Sequence, residues 1–198
     1  NIPDIKLSNI VGNKQIYDVL PYNGLLYLST GFGVVVVDVN AREIRSTYFL
    51  GPNGEQQKIN DVLVVNNEIY AISDSLVLKA SVSNPFLANF QNWTEVVDWP
   101  AAGSYSDATE FAGSLFVHAV DQTNDKIYKK DLMTGDWSVF SEFGNMRFGR
   151  IWNSQDYLCL AGEWAAICYD ELLYLAYNIS ELDGAGIAPN FVLRDMHN

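Results

Sequence analysis

The sequence predicts an all-β chain: a β-propeller of about four complete four-stranded blades, with partial blades at both ends. Three observations predict it. One strand motif recurs at a near-constant period, with Tyr27, Tyr70, Phe116 and Cys159 in one register at steps of 43, 46 and 43 residues. Several strands are near-continuous apolar runs, Val34-Val35-Val36-Val37 and Val62-Leu63-Val64-Val65 among them, as expected of strands covered on both faces. No long window carries the three- or four-residue apolar repeat of a helix.

Each blade justifies itself in turn. The first strands share offsets: Ile16 to Leu20, Ile59 to Val65, Tyr105 to Thr109, and Phe148 to Trp152. Second strands follow at Leu25 to Thr30, Glu68 to Ser73, Ser114 to Ala119 and Tyr157 to Gly162. Third strands are expected over Val34 to Val39, Leu76 to Ser81, Lys126 to Asp131 and Ala165 to Tyr169. Fourth strands are expected over Glu43 to Leu50, Trp93 to Trp99, Trp137 to Phe143 and Leu172 to Tyr177. Asn23-Gly24, Asn66-Asn67, Ala112-Gly113, Asn40-Ala41 and Thr134-Gly135 are short-turn signals between them. The blades therefore run over about 16–51, 59–99, 105–143 and 148–177. Residues 1–10 read as the outermost strand of a preceding blade, and 190–198, through Asn190 to Asp195, as the innermost strand of a following one. A ring needs whole blades, so the expectation is an arc of a larger propeller that self-associates through its open blade faces or exists only as part of a longer parent.

Composition narrows the function classes. The 198 residues carry 12 Lys and Arg against 24 Asp and Glu, a formal charge of −12, with 48% hydrophobic and 13% aromatic residues. That apolar content offsets chain entropy and excludes disorder. The acidic balance without a basic cluster argues against nucleic acid and anionic membrane surfaces. No apolar run approaches the roughly 20 residues of a spanning helix, so no membrane insertion is expected.

The units Ile16 to Val39 and Ile59 to Leu78 carry I-x-D-V, then N-G or N-N, then L/I-Y followed by Ser or Thr. These residues resemble the propeller blades of Bacteroidetes surface and periplasmic proteins. One such group is the PorZ-type N-terminal propeller of the type IX secretion system, similar above all over Asn1 to Asn60. The other is the periplasmic sensor propeller of hybrid two-component regulators. The first resemblance implies a non-catalytic component of the periplasm or cell surface, working with a sortase and recognising lipopolysaccharide. The second implies a ligand-sensing, glycan-responsive module.

Candidate sites are few. Asp18, Asp61 and Asp107 recur in register on the first strands, and a carboxylate repeated once per blade reads as a structural acceptor for backbone amides at the strand start. The fourth blade places Arg150 there instead. An Arg among carboxylates either pairs with one of them or meets an anionic ligand. With Arg147 and Trp152 nearby, these six residues make the expected ligand site, for an anionic saccharide, lipopolysaccharide or a protein partner. His118 stands in the register of Ser29, Ile72 and Ala161 and is expected to pack between blades, with no metal or nucleophile partner evident from spacing. Cys159 and Cys168 can face each other across a hairpin. Because Cys159 holds a packing register, two buried free thiols are expected. The stretch Asp121 to Asp125 reads as a solvated turn. No catalytic residue, metal or cofactor is expected. A glycan-active propeller enzyme is the alternative from another class; it requires an acid–base pair, for which only Asp18, Asp61 and Asp107 offer carboxylates.

Overall fold

Two-residue hairpins set the blades. A computed structural model of the chain describes residues 10, 13–100, 104–120, 124–144, 148–162 and 166–179. At Asn23-Gly24, Asn66-Asn67 and Ala112-Gly113 both turn residues have positive φ, between 47° and 76°. This is the type I′ pattern whose twist matches antiparallel strands.

The described residues fold as four four-stranded antiparallel sheets of β-propeller type, each running in sequence order. The first comprises β1 (Ile16–Tyr22), β2 (Leu25–Thr30), β3 (Gly33–Asp38) and β4 (Glu43–Tyr48). The second comprises β5 (Asp61–Val65), β6 (Glu68–Ile72), β7 (Val77–Ser81) and β8 (Thr94–Glu95). The third comprises β9 (Ser104–Phe111), β10 (Ser114–Val120), β11 (Asn124–Asp131) and β12 (Trp137–Gly144). The fourth comprises β13 (Phe148–Ser154), β14 (Tyr157–Gly162), β15 (Ala166–Tyr169) and β16 (Leu175–Ile179). Two compact units divide the chain, 1–99 with the first two blades and 100–198 with the last two. Within each unit the first strands of the neighbouring blades touch, β1 with β5 and β9 with β13, as innermost propeller strands do.

The continuous apolar runs are explained by burial on both faces. Val34 and Val36 enter one core with Tyr27, Val62, Ile69 and Trp93 of the first unit. Val35, between them, points the other way to Leu28 and Phe32. In the second unit Phe116, Ile127, Ile151, Leu158 and Leu160 form the core between blades. Phe140 stacks edge-on against both Phe116 and Tyr169, at 5.2 and 4.9 Å. Each such side chain contributes roughly 2 kcal/mol on burial.

Two fourth strands differ from expectation. β8 is two residues long rather than Trp93 to Trp99: after Val96 donates to the Val77 carbonyl the chain turns away, leaving Val97 88% exposed. β16 begins at Leu175 rather than Leu172, because the Asp170 carboxylate accepts from the amides of Leu172 and Tyr174 and folds that stretch into a turn. The partial blades at 1–9 and 190–198 lie outside the described residues.

Candidate functional site

The first strands carry a repeated irregularity. In β1, β9 and β13 one extra residue interrupts the pairing to the second strand: Tyr17, Ser106 and Gly149 respectively. Each immediately precedes the register position held by Asp18, Asp107 or Arg150. A bulge bends the strand and re-aims the side chains next to it. In β5 the strand itself starts at the register residue, Asp61.

Asp107 is buried, directly across from His118. Its Oδ2 accepts the Ile151 amide at 3.0 Å and faces Arg150 Nε at 3.5 Å. The expectation of a backbone acceptor holds here with one change: the amide belongs to the first strand of the next blade. Arg150 keeps 30% of its side chain exposed. Arg150 and Trp152 occupy alternate positions of β13 and share a sheet face. The indole nitrogen of Trp152 is buried and has no hydrogen-bond partner among the described residues. Asp61 is buried opposite Ile72, and Asp18 is half-buried opposite Ser29, both in the first unit. Arg147 lies outside the described residues.

His118 requires a correction. Its ring is fully buried, as expected, but partners that sequence spacing did not provide are present. Nδ1 lies 2.6 Å from Ser106 Oγ, and Nε2 lies 3.2 Å from Asp125 Oδ2. That carboxylate oxygen also accepts the Phe148 amide at 3.0 Å. Asp125 is therefore a buried fastening rather than part of a solvated turn. Asn153 Nδ2 adds a third link, to the Glu110 carbonyl at 2.5 Å. The Ala112-Gly113 hairpin fixes His118 opposite Asp107, which was legible. The bulge that turns Ser106 toward the ring, and the diagonal reach to Asp125, were not. The Ser–His distance is that of an activated nucleophile; the ring is fully buried, and Ser106 is half-buried.

The cysteines require the second correction. Cys159 and Cys168 are directly paired on β14 and β15 and form a disulfide, with Cα atoms 4.2 Å apart. Both are buried. A packing register and a bond are compatible here, because opposite side chains on one sheet face lie within bonding reach.

Among the described residues no three metal-ligating side chains cluster, and no helix is long and apolar enough to cross a membrane.

Residues 1–94 match the family model of the N-terminal β-propeller domain of PorZ, of the type IX secretion system. No curated protein matches the chain. Among solved structures it is similar to PorZ, a bacterial surface component of that system from Porphyromonas gingivalis. The identity is 16% and the TM-score 0.67, over 85% of this chain and 21% of that one. It is also similar to the extracellular domain of a putative one-component system of B. thetaiotaomicron, at 10% identity and TM-score 0.59, over 82% and 21%. The WD40 domain of Neurospora crassa Pan2 matches at 11% identity and TM-score 0.57, over 84% and 50%. The chain thus spans about a fifth of the PorZ and sensor chains it matches. It resembles the PorZ-type N-terminal β-propeller, in sequence over residues 1–94 and in fold over most of its length.

Proposed function

We propose that the chain is a non-catalytic, extracytoplasmic binding and scaffold propeller of a PorZ-like protein, acting with a sortase and recognising lipopolysaccharide. The match of residues 1–94 to the PorZ propeller family carries this reading. The buried Cys159–Cys168 disulfide supports the compartment, because such bonds persist where the environment oxidises. A larger parent supplying further blades fits the one-fifth coverage of the matched chains.

The binding residue is Arg150, with Asp107 as its counter-charge and Trp152 beside it on β13. A partly exposed guanidinium held by a buried carboxylate suits a phosphate or carboxylate group of a saccharide. The similarity to an extracellular sensor domain favours a second reading, a glycan-sensing propeller.

Deleting the coding region for this chain from its parent gene tests both. In the secretion reading, type IX cargo is no longer retained on the surface. In the sensing reading, cargo is unaffected and a glycan-induced transcript response disappears. A deletion that changes neither defeats both readings.

A further inference from the structure

Two carboxylates of the third blade hold the segment on which Arg150 sits. Asp107 takes the Ile151 amide on one side of Arg150, and Asp125 takes the Phe148 amide on the other, each at 3.0 Å. Asp125 is in turn held by His118, and His118 by Ser106.

The direction of each bond follows from donor chemistry. A carboxylate only accepts, so His118 Nε2 carries the proton it shares with Asp125 Oδ2. In the neutral ring Nδ1 is then the acceptor, and the Ser106 hydroxyl donates to it at 2.6 Å. One tautomer satisfies the whole chain. The ring is locked further by its edge-to-face contact with Phe148, at 6.3 Å and 85°. Neither Asp125, 2% exposed, nor His118, 0% exposed, can exchange these partners for water.

We propose that Ser106, His118 and Asp125 form a positioning relay that fixes the Phe148 end of β13, and with Asp107 at the Ile151 end sets where Arg150 points. The binding role of Arg150 rests on the function proposed above; the relay is measured without any ligand. The blade-four counterparts of Ser106 and His118 are Gly149 and Ala161, so the chemistry is not repeated there. It belongs to the blade that precedes the arginine.

The test is residue-resolved amide exchange combined with imidazole nitrogen spectra. His118→Leu is expected to speed exchange at Phe148 by about tenfold, with a smaller rise at Arg150 and Ile151 and none at Ile69 in the first unit. His118→Gln, whose side-chain N–H can reach Asp125, is expected to restore most of the protection. Ser106→Ala, too small a change to unfold the sheet, is expected to raise Phe148 exchange severalfold. The wild-type imidazole spectrum is expected to show the Nε2–H tautomer alone, and Asp125→Asn to mix the two.

Unchanged exchange at Phe148 overturns the proposal. So does a rise spread evenly over both units, or a Gln variant no better than Leu. A double-mutant cycle reads the coupling: purified lipopolysaccharide should lose affinity severalfold in His118→Leu, but no further in His118→Leu/Arg150→Ala than in Arg150→Ala alone. Additive losses overturn the relay. A wild-type protein that ignores lipopolysaccharide overturns the binding reading and leaves the exchange result to decide the relay.

Discussion

Asp107→Ala separates the carboxylate latch from ordinary surface charge. The substitution removes the acceptor of the Ile151 amide and the counter-charge of Arg150 together. Ile151 is a buried core residue at the junction of two blades, so its amide is left without water or partner. An unpaired buried donor costs about 1–3 kcal/mol. The Arg150 side chain is 30% exposed, so solvent screening holds its share below about 1 kcal/mol. The expected loss is about 1–4 kcal/mol, or roughly 2–16 °C of melting temperature in a chain this long. Asp107→Asn keeps an oxygen of the same shape and sacrifices only the charge, so it should cost about 1 kcal/mol. Urea titration followed by tryptophan fluorescence reads both variants. An Ala variant within about 0.5 kcal/mol of wild type refutes the latch. An Asn variant as damaged as Ala shows that charge, not the acceptor, holds the junction.

Other consequences follow from the same geometry. Reducing Cys159–Cys168, nine residues apart, should cost about 2.5 kcal/mol by loop-closure entropy, seen as a lower melting temperature in dithiothreitol; no shift would mean the bond carries no stability. Ala112 holds a φ of 47°, a left-handed conformation that costs a β-carbon about 1–2 kcal/mol. Ala112→Asn should therefore raise the urea midpoint, and a lower midpoint contradicts the turn assignment. The Tyr48 phenol is pushed up to about 12, first by burial and then by neighbouring Tyr27. Its contribution is fully present below the ordinary tyrosine value of 10.0 and is lost as pH rises toward about 12. Tyr48→Phe should extend stability on the alkaline side, measured as melting temperature against pH; an unaltered alkaline limb removes Tyr48 from its cause.

The fold was legible because repetition states it several times over. Tyr27, Tyr70, Phe116 and Cys159 all fall on second strands, and the paired positive-φ turns sit where Asn-Gly, Asn-Asn and Ala-Gly stand. Outer strands were less legible. Few neighbours constrain them, so a single side chain such as Asp170 moves a boundary by three residues. The site was half legible. Register alone placed Arg150 beside Asp107, since β9 and β13 meet. It did not reveal that Asp107 serves the next blade's backbone, nor that Ser106, His118 and Asp125 link up, because a bulge breaks the two-residue alternation on which such readings depend. The disulfide was missed for a different reason. A buried apolar register and a bonded pair place the same demands on Cys159, and only the pairing with Cys168 distinguishes them.

Calorimetric titration of the protein with purified lipopolysaccharide, comparing wild type with Arg150→Ala, tests most directly whether β13 carries an anion-binding site. A charge-assisted contact of about 2 kcal/mol predicts affinity lower by about 30-fold in the variant, with the melting temperature lowered only slightly because Asp107 retains the Ile151 amide. Equal affinity in the two proteins would contradict the account.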